Sequence, residues 1–110
     1  PSAGGDVDID VRAQRLELEQ VLSLHARVRM QQRGIPPQVV ESLLQCGRVQ
    51  HDNHGGRIIF FDRSAWKAVC QRGFQTLVPA ADRHRRTYLV LGGDGMVKTV
   101  SHRYRRIKRH

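Results

Sequence analysis

Residues 25–35 read His-Ala-Arg-Val-Arg-Met-Gln-Gln-Arg-Gly-Ile, a run that favours an α-helix and then ends it at a glycine. His25, Arg29 and Arg33 are four residues apart, so on a helix they lie nearly above one another, drifting by about 40° per step. They extend a line of apolar residues that passes through Leu22. One imidazole and two guanidinium groups on a single ridge predict a surface that holds an anion.

Helical periodicity surrounds this stretch. Apolar residues three and four apart predict one helix from Val11 to Gln32. Gly34 fits a C-terminal cap, and the two prolines that follow it predict the start of a second helix. That helix covers residues 37–46 and ends at Gly47.

After Gly47 the spacing of the apolar residues changes from a helical pattern to one typical of β-strands. The last two predicted strands flank Gly92-Gly-Asp-Gly95, and two apolar runs around such a loop indicate a β-hairpin. The order predicts an α+β fold in which two N-terminal helices pack on an antiparallel sheet of about four strands. The strands are assigned to residues 57–62, 66–72, 87–91 and 96–101, and residues 48–50 are a further candidate for a short strand.

Length and charge limit the classes of function. The 110 residues carry a net charge of +9, and the isoelectric point is about 11.0. A balance this basic favours a polyanionic partner such as RNA, DNA, an anionic membrane surface or an acidic protein. We predict a flexible lead-in over residues 1–10, a single domain over residues 11–104, and a basic tail over residues 105–110.

The chain has no run of about 18 apolar residues, so the sequence predicts no membrane span. Its acidic start does not match a secretory signal peptide. Cys46 and Cys70 are isolated cysteines; a pair is open, but free thiols in a reducing compartment are the simpler interpretation. We therefore expect a cytoplasmic protein without a membrane partner.

Three signatures follow one another along the chain: H-x-x-x-R-M-x-x-R-G-I from His25, V-x-x-L-L-x-x-G from Val40, and D-G-x-V-x-T-V from Asp94. Together they resemble a family of small bacterial domains of unknown function that is similar to the RelE/BrnT-like toxins of toxin–antitoxin systems. The resemblance spans residues 22–104. It implies a compact, RelE-like fold with a curved antiparallel sheet. Many relatives in the wider group are metal-independent endoribonucleases that a cognate antitoxin silences.

The chemistry of RNA cleavage selects candidate residues independently. Without a metal, the reaction needs a base for the 2′-hydroxyl, cations for the phosphorane and an acid for the leaving 5′-oxygen. Histidine titrates near neutral pH, and the guanidinium group of arginine donates two parallel hydrogen bonds to a phosphate. The candidate catalytic residues are His25, Arg29, His102 and Tyr104, and the candidate RNA-binding residues are Arg33, Lys98, Arg103, Arg105 and Arg106.

Strand alternation predicts how the last strand presents these groups. It assigns Lys98, Val100, His102 and Tyr104 to one face, and Thr99, Ser101 and Arg103 to the other. A ribonuclease site then requires the first helix to face this strand end across a phosphate.

Structural roles remain open for the same residues. His25 suits a half-buried histidine bonded to a neighbouring carbonyl or acid, and Arg29 suits an ion pair that joins helix to sheet. Arg33 suits the carbonyl end of its helix. Tyr104 fits a packing role, and Tyr88 and Trp66 are expected in the core.

Two further patterns are weaker. The side chains of Cys46, His51, His54 and Cys70 contain zinc-ligating atoms, but their spacing matches no compact ligand pattern. No helix follows the glycine-rich loop at Gly92, so it indicates a hairpin turn rather than a phosphate-binding loop. We predict no metal and no cofactor.

Three functions are consistent with these observations. The first is a toxin-like, metal-independent endoribonuclease, or the RNA-binding domain of a toxin–antitoxin type system. The second is a non-catalytic basic domain that binds nucleic acid. The third is an interaction module for an acidic antitoxin or immunity-like protein.

Overall fold

A computed structural model describes residues 18, 20–52 and 55–103. The predicted lead-in and basic tail lie outside these residues. The elements follow in the order α1 (Leu24–Arg33), α2 (Pro37–Cys46), β1 (Arg48–His51), β2 (Arg57–Phe60), α3 (Arg63–Gln71), α4 (Phe74–Leu77), a 3-10 helix (Ala81–His84), β3 (Thr87–Leu91) and β4 (Val97–His102).

The four strands form one antiparallel sheet in the order β1-β2-β3-β4. Leu89 of β3 lies between Ile59 and Val100 in the register, and all three are buried in the core beneath the helices. The next residue, Tyr88, is half-buried and points to the opposite face, beside Phe60. The α+β class and the four-stranded sheet are confirmed, whereas Tyr88 is not part of the core cluster.

The helix order differs from the prediction because α3 and α4 lie between β2 and β3. Residues 66–72, predicted as a strand, belong largely to α3. The Asp62 carboxylate accepts the backbone N–H of Ala65 across 2.8 Å, which caps this helix. Trp66 and Val69 are then buried on one face, where their helical spacing overrides the β-structure on either side.

The predicted helix over residues 11–32 is interrupted at Ser23. Leu22 forms a parallel bridge with Val97, and the Ser23 backbone N–H donates to the Val97 carbonyl across 3.0 Å. The Ser23 hydroxyl accepts the N–H of Ala26 and donates to the carbonyl of Lys98. α1 therefore begins against the first residues of β4 and packs along that strand.

The other end of α1 agrees with the sequence. Gly34 adopts the left-handed conformation, with φ of 63°, and its N–H caps the helix. This conformation suits glycine because it lacks a Cβ atom. Within α1, Ala26 and Met30 are buried, continuing the buried line of Leu22. Hence the residues of α1 that reach the core are Ala26 and Met30, whereas His25 is exposed.

A β-bulge changes one face of β4. Thr99 pairs with Val90, but Val97 pairs with Leu91, so Lys98 is the extra residue. Val97 is fully buried and Lys98 is exposed. The prediction that Lys98 shares a face with Val100 and His102 is therefore wrong for Lys98.

Among the described residues, none of the helices combines the length and the apolar composition that crossing a lipid bilayer demands.

Candidate nucleic-acid interface

Four arginines lie in the segments that enter β3 and leave β4. Thr87 and His102 are the last pair of the β3–β4 ladder, and just beyond it the N–H of Arg103 donates to the Arg86 carbonyl across 2.8 Å. We call this region the arginine end; it consists of Arg83, Arg85 and Arg86, which precede β3, and of Arg103, which follows His102. Arg83, Arg85 and Arg86 are exposed, and Arg103 is half-buried.

Aromatic rings hold two of these arginines. The guanidinium carbon of Arg85 lies 5.8 Å from the centroid of the Trp66 ring. That of Arg103 lies 5.6 Å from the centroid of Phe60, and its Nη2 donates to the Phe61 carbonyl across 3.1 Å. Such contacts reduce the number of side-chain conformers. Arg103 therefore has a structural role in addition to its positive charge.

The local charge is strongly positive but not uniform. Asp82, which lies on the 3-10 helix, is exposed and accepts a long hydrogen bond from Gln75 across 3.4 Å. Asp62 caps α3 and forms an ion pair of 3.4 Å with Arg48. The segment that carries Arg83, Arg85 and Arg86 therefore also contains one exposed carboxylate.

His102 is half-buried on the helix side of the sheet, and its Nδ1 lies 2.9 Å from the hydroxyl oxygen of Thr87. Thr87 is fully buried, so this hydroxyl is shielded from solvent. The bond fixes the plane of the imidazole and leaves Nε2 as the nitrogen for any ligand.

A second imidazole lies against the first. The ring centroids of His84 and His102 are 5.8 Å apart, with an interplanar angle of 28°. His84 is only 4% exposed, and its Nδ1 has no hydrogen-bond partner within the described residues. Burial lowers the pKa of His84, and the charges of His102 and Arg83 lower it further. His84 is therefore held in the neutral form.

The structure does not bring His25 to His102. His25 lies in the first turn of α1, two residues after Ser23, which bonds to the start of β4. β4 ends at His102, and a strand of this length spans about 17 Å. The two imidazoles thus lie near opposite ends of β4. His25 is exposed, whereas Arg29 and Arg33 are half-buried farther along α1.

Of the remaining predicted site residues, Lys98 is described by the structure and the others are not. The Lys98 ammonium donates to the Asp94 carboxylate across 2.7 Å, at the hairpin end of β4. This hydrogen bond is the main reason that the pKa of Asp94 is lowered. Lys98 is therefore remote from the arginine end. The other members, Tyr104, Arg105 and Arg106, lie outside the described residues.

Sequence analysis missed Arg83, His84, Arg85, Arg86 and Thr87 as members of a site. Residues 83–86 are a basic cluster in the sequence, but no strand or helix pattern covers them. The available signal was the hairpin itself, because pairing outward from Gly92–Gly95 brings Thr87 opposite His102. The prediction that Val100 and His102 share one face, opposite Ser101, agrees with that register.

Cys46 and Cys70 are free and half-buried, and both pack against the core. In residues 18, 20–52 and 55–103, no group of three His, Cys, Asp or Glu side chains is placed to hold a metal ion. His54, part of the weak zinc pattern, lies outside the described residues.

An open groove of about 730 Å³ is lined by residues of α1 and of the segment that leads into α2. Met30, Ile35 and Pro37 contribute apolar walls, and Arg27 lies at its edge. Leu24 and Val28, one turn apart on α1, are 77% and 42% exposed. These two side chains add exposed apolar surface to α1.

No family model matches this chain, and no characterised protein or solved structure is significantly similar to it.

Proposed function

We propose that this domain binds RNA through phosphate groups at the arginine end. The observation that carries the proposal is the junction of Arg86 and Arg103, whose backbone hydrogen bond joins two basic segments beside His102. Arginine suits this task because its planar fork matches the oxygens of a phosphate. The net charge of +9 adds a long-range attraction for a polyanion.

Binding of this kind recognises the charge of the phosphate groups and not the base sequence of the RNA. Trp66 and Phe60 are buried and in contact with arginines, so neither offers a free face for a base. Without a stacking surface of this kind, affinity comes mainly from phosphate contacts and declines with salt.

A binding assay tests the proposal. Fluorescence anisotropy of a labelled, short oligouridylate gives the Kd of the full chain at low salt. We expect replacement of Arg85 and Arg86 by alanine to raise the Kd by roughly tenfold, because two charge-assisted contacts are lost. The matched control is Arg72→Ala, at the exposed C-terminal end of α3. Equal Kd values for all three proteins would contradict the proposal.

His102 favours a second candidate, the metal-independent endoribonuclease that the RelE/BrnT-like resemblance implies. Its ring is held by Thr87, and Arg103 follows it in the chain. In this proposal the neutral imidazole accepts the 2′-hydroxyl proton, and the oxygen attacks phosphorus as the bond to the 5′-oxygen breaks. The arginines stabilise the charge on the phosphorane. The products are a 2′,3′-cyclic phosphate and a 5′-hydroxyl, which takes its proton from an acid not yet assigned.

Incubating the protein with total RNA in the presence of EDTA tests this second candidate. We expect fragments that end in 2′,3′-cyclic phosphate, and we expect His102→Gln to abolish them while retaining oligouridylate binding. Intact RNA with normal binding would leave a non-catalytic nucleic-acid-binding domain.

In a toxin–antitoxin type system, an acidic antitoxin or immunity-like protein would cover the same arginines. Such a partner would compete with oligouridylate for the arginine end. The double substitution Arg85→Ala with Arg86→Ala would then weaken the binding of both the oligouridylate and the acidic protein.

A further inference from the structure

The sheet has one face on which none of the described helices packs. The buried apolar side chains of α1, α2, α3 and α4 all belong to one core cluster, together with Ile59, Leu89 and Val100 of the sheet. Outside this cluster are the residues that alternate to the other face of β2 and β3: Ile58, Phe60, Tyr88 and Val90. We call this second surface, formed by these four residues and their neighbours in the register, the open face.

Tyr88 is the aromatic residue of the open face that keeps accessible surface. In the register it lies between Phe60 on β2 and Ser101 on β4. Phe60 is only 2% exposed, whereas Tyr88 is half-buried. Within the described residues, the side chain of Tyr88 takes part in no hydrogen bond and no ring contact. The open face therefore presents one tyrosine ring that has no partner in the described part of the chain.

Positive charge lies on the same face. The guanidinium carbon of Arg103 is 5.6 Å from the centroid of the Phe60 ring. Phe60 is also the cross-strand neighbour of Tyr88, and the Cβ atoms of such a pair are about 5 Å apart. On the other side of Phe60, the register places the exposed Arg48, which forms an ion pair of 3.4 Å with Asp62. The open face thus combines a flat ring with cationic groups, as a nucleotide combines a flat base with an anionic phosphate.

We infer that the open face binds single-stranded RNA by stacking one base on Tyr88, in addition to the phosphate contacts of the arginine end. The inference rests on the proposed RNA binding and names the single strand as the form of RNA that is bound. A duplex keeps its bases stacked inside, whereas the bases of a single strand are free to stack on an aromatic side chain. Because every base has a π-face, this contact adds affinity without selecting a base sequence.

The direct test compares oligouridylate with a ribose-phosphate oligomer of the same length that lacks the bases. Both probes carry the same number of phosphates, so a difference in Kd at one salt concentration comes from the bases. Fluorescence anisotropy of the full chain is expected to show that oligouridylate binds about five- to tenfold more tightly, the lower part of the range for one stacked base. The half-buried state of Tyr88 is the reason for the lower part of that range.

Two variants assign the stacked base to Tyr88. Tyr88→Leu removes the ring and keeps an apolar side chain, so it is expected to bind oligouridylate about as weakly as the parent binds the oligomer without bases. Its Kd for that oligomer and for an RNA duplex is expected to equal the parent value. Tyr88→Phe is the matched control, because it keeps the ring and loses only the hydroxyl group; it is expected to retain the preference for oligouridylate.

The outcomes separate the inference from the proposed function. Equal Kd values for the two probes, or a preference that persists in Tyr88→Leu, overturn the inference and leave phosphate binding intact. A dimer in sedimentation that Tyr88→Leu dissociates would show that a second copy covers the open face, which also overturns it. No binding of either probe overturns both. Circular dichroism checks folding; if Tyr88→Leu is unfolded, the ring-proton NMR signals of Tyr88 decide, since they must shift with oligouridylate and not with the oligomer without bases.

Discussion

The guanidinium group of Arg103 donates to the carbonyl oxygen of Phe61 across 3.1 Å and so connects the end of β4 to the segment between β2 and α3. Phe61 is itself 2% exposed and packs edge-to-face against Trp66 and Phe74. An arginine expected from sequence to bind RNA is therefore also a tether between sheet and helix.

Replacing Arg103 by alanine is expected to lower the free energy of unfolding by about 1–3 kcal/mol, since a charge-assisted hydrogen bond and a ring contact are lost. Arg86→Ala, which removes an exposed side chain, is expected to change it by less than about 0.5 kcal/mol. Urea unfolding measures both. Similar stabilities for the two variants would mean that the tether contributes little.

Ser23 predicts a second, independent effect on stability. Its hydroxyl caps α1 and also bonds to the Lys98 carbonyl. Ser23→Ala is expected to cost about 1 kcal/mol, within the range for a lost N-cap. The exposed Ser64, in the first turn of α3, provides the control. An unchanged unfolding midpoint for Ser23→Ala would show that water replaces both bonds.

His84 predicts how stability depends on pH. Its pKa is lowered in the folded protein, mainly by burial, so the unfolded chain binds more protons as the pH falls below about 6.5. The stabilisation from neutral His84 is therefore fully present above that pH and is lost below it. The slope reaches at most about 1.4 kcal/mol per pH unit for one proton.

Thermal or urea unfolding between pH 5 and pH 8 measures this slope in the parent, His84→Gln and His51→Gln. Only His84→Gln is expected to flatten it, although the substitution also lowers stability overall. If the slope is equally steep in all three proteins, groups other than His84 produce the acid sensitivity.

Much of the local structure follows from sequence. Gly34 ends α1 at the residue where a C-terminal cap was predicted, and the glycine-rich loop joins β3 to β4. α3 was missed, yet Asp62 as an N-cap, Trp66 and Val69 three apart, and Gly73 after the helix are local helix signals. Those signals were outweighed by the strands on either side.

The remaining differences come from tertiary contacts. The helix break at Ser23 depends on a hydrogen bond to Val97, although a serine N-cap is itself a local signal for the start of α1. The exposure of Lys98 depends on one bulge, which the alternation rule does not anticipate. The pair of His84 and His102 exists because strand pairing joins segments that are far apart in the chain.

The salt dependence of oligouridylate binding tests the central claim most directly. A plot of log Kd against log salt gives the number of phosphates that the protein neutralises. For Arg85→Ala combined with Arg86→Ala, we predict a slope that is shallower than that of the parent by roughly 0.7 per lost contact. Arg72→Ala is predicted to keep the parent slope. Identical slopes in the three proteins would show that RNA phosphates do not bind at the arginine end.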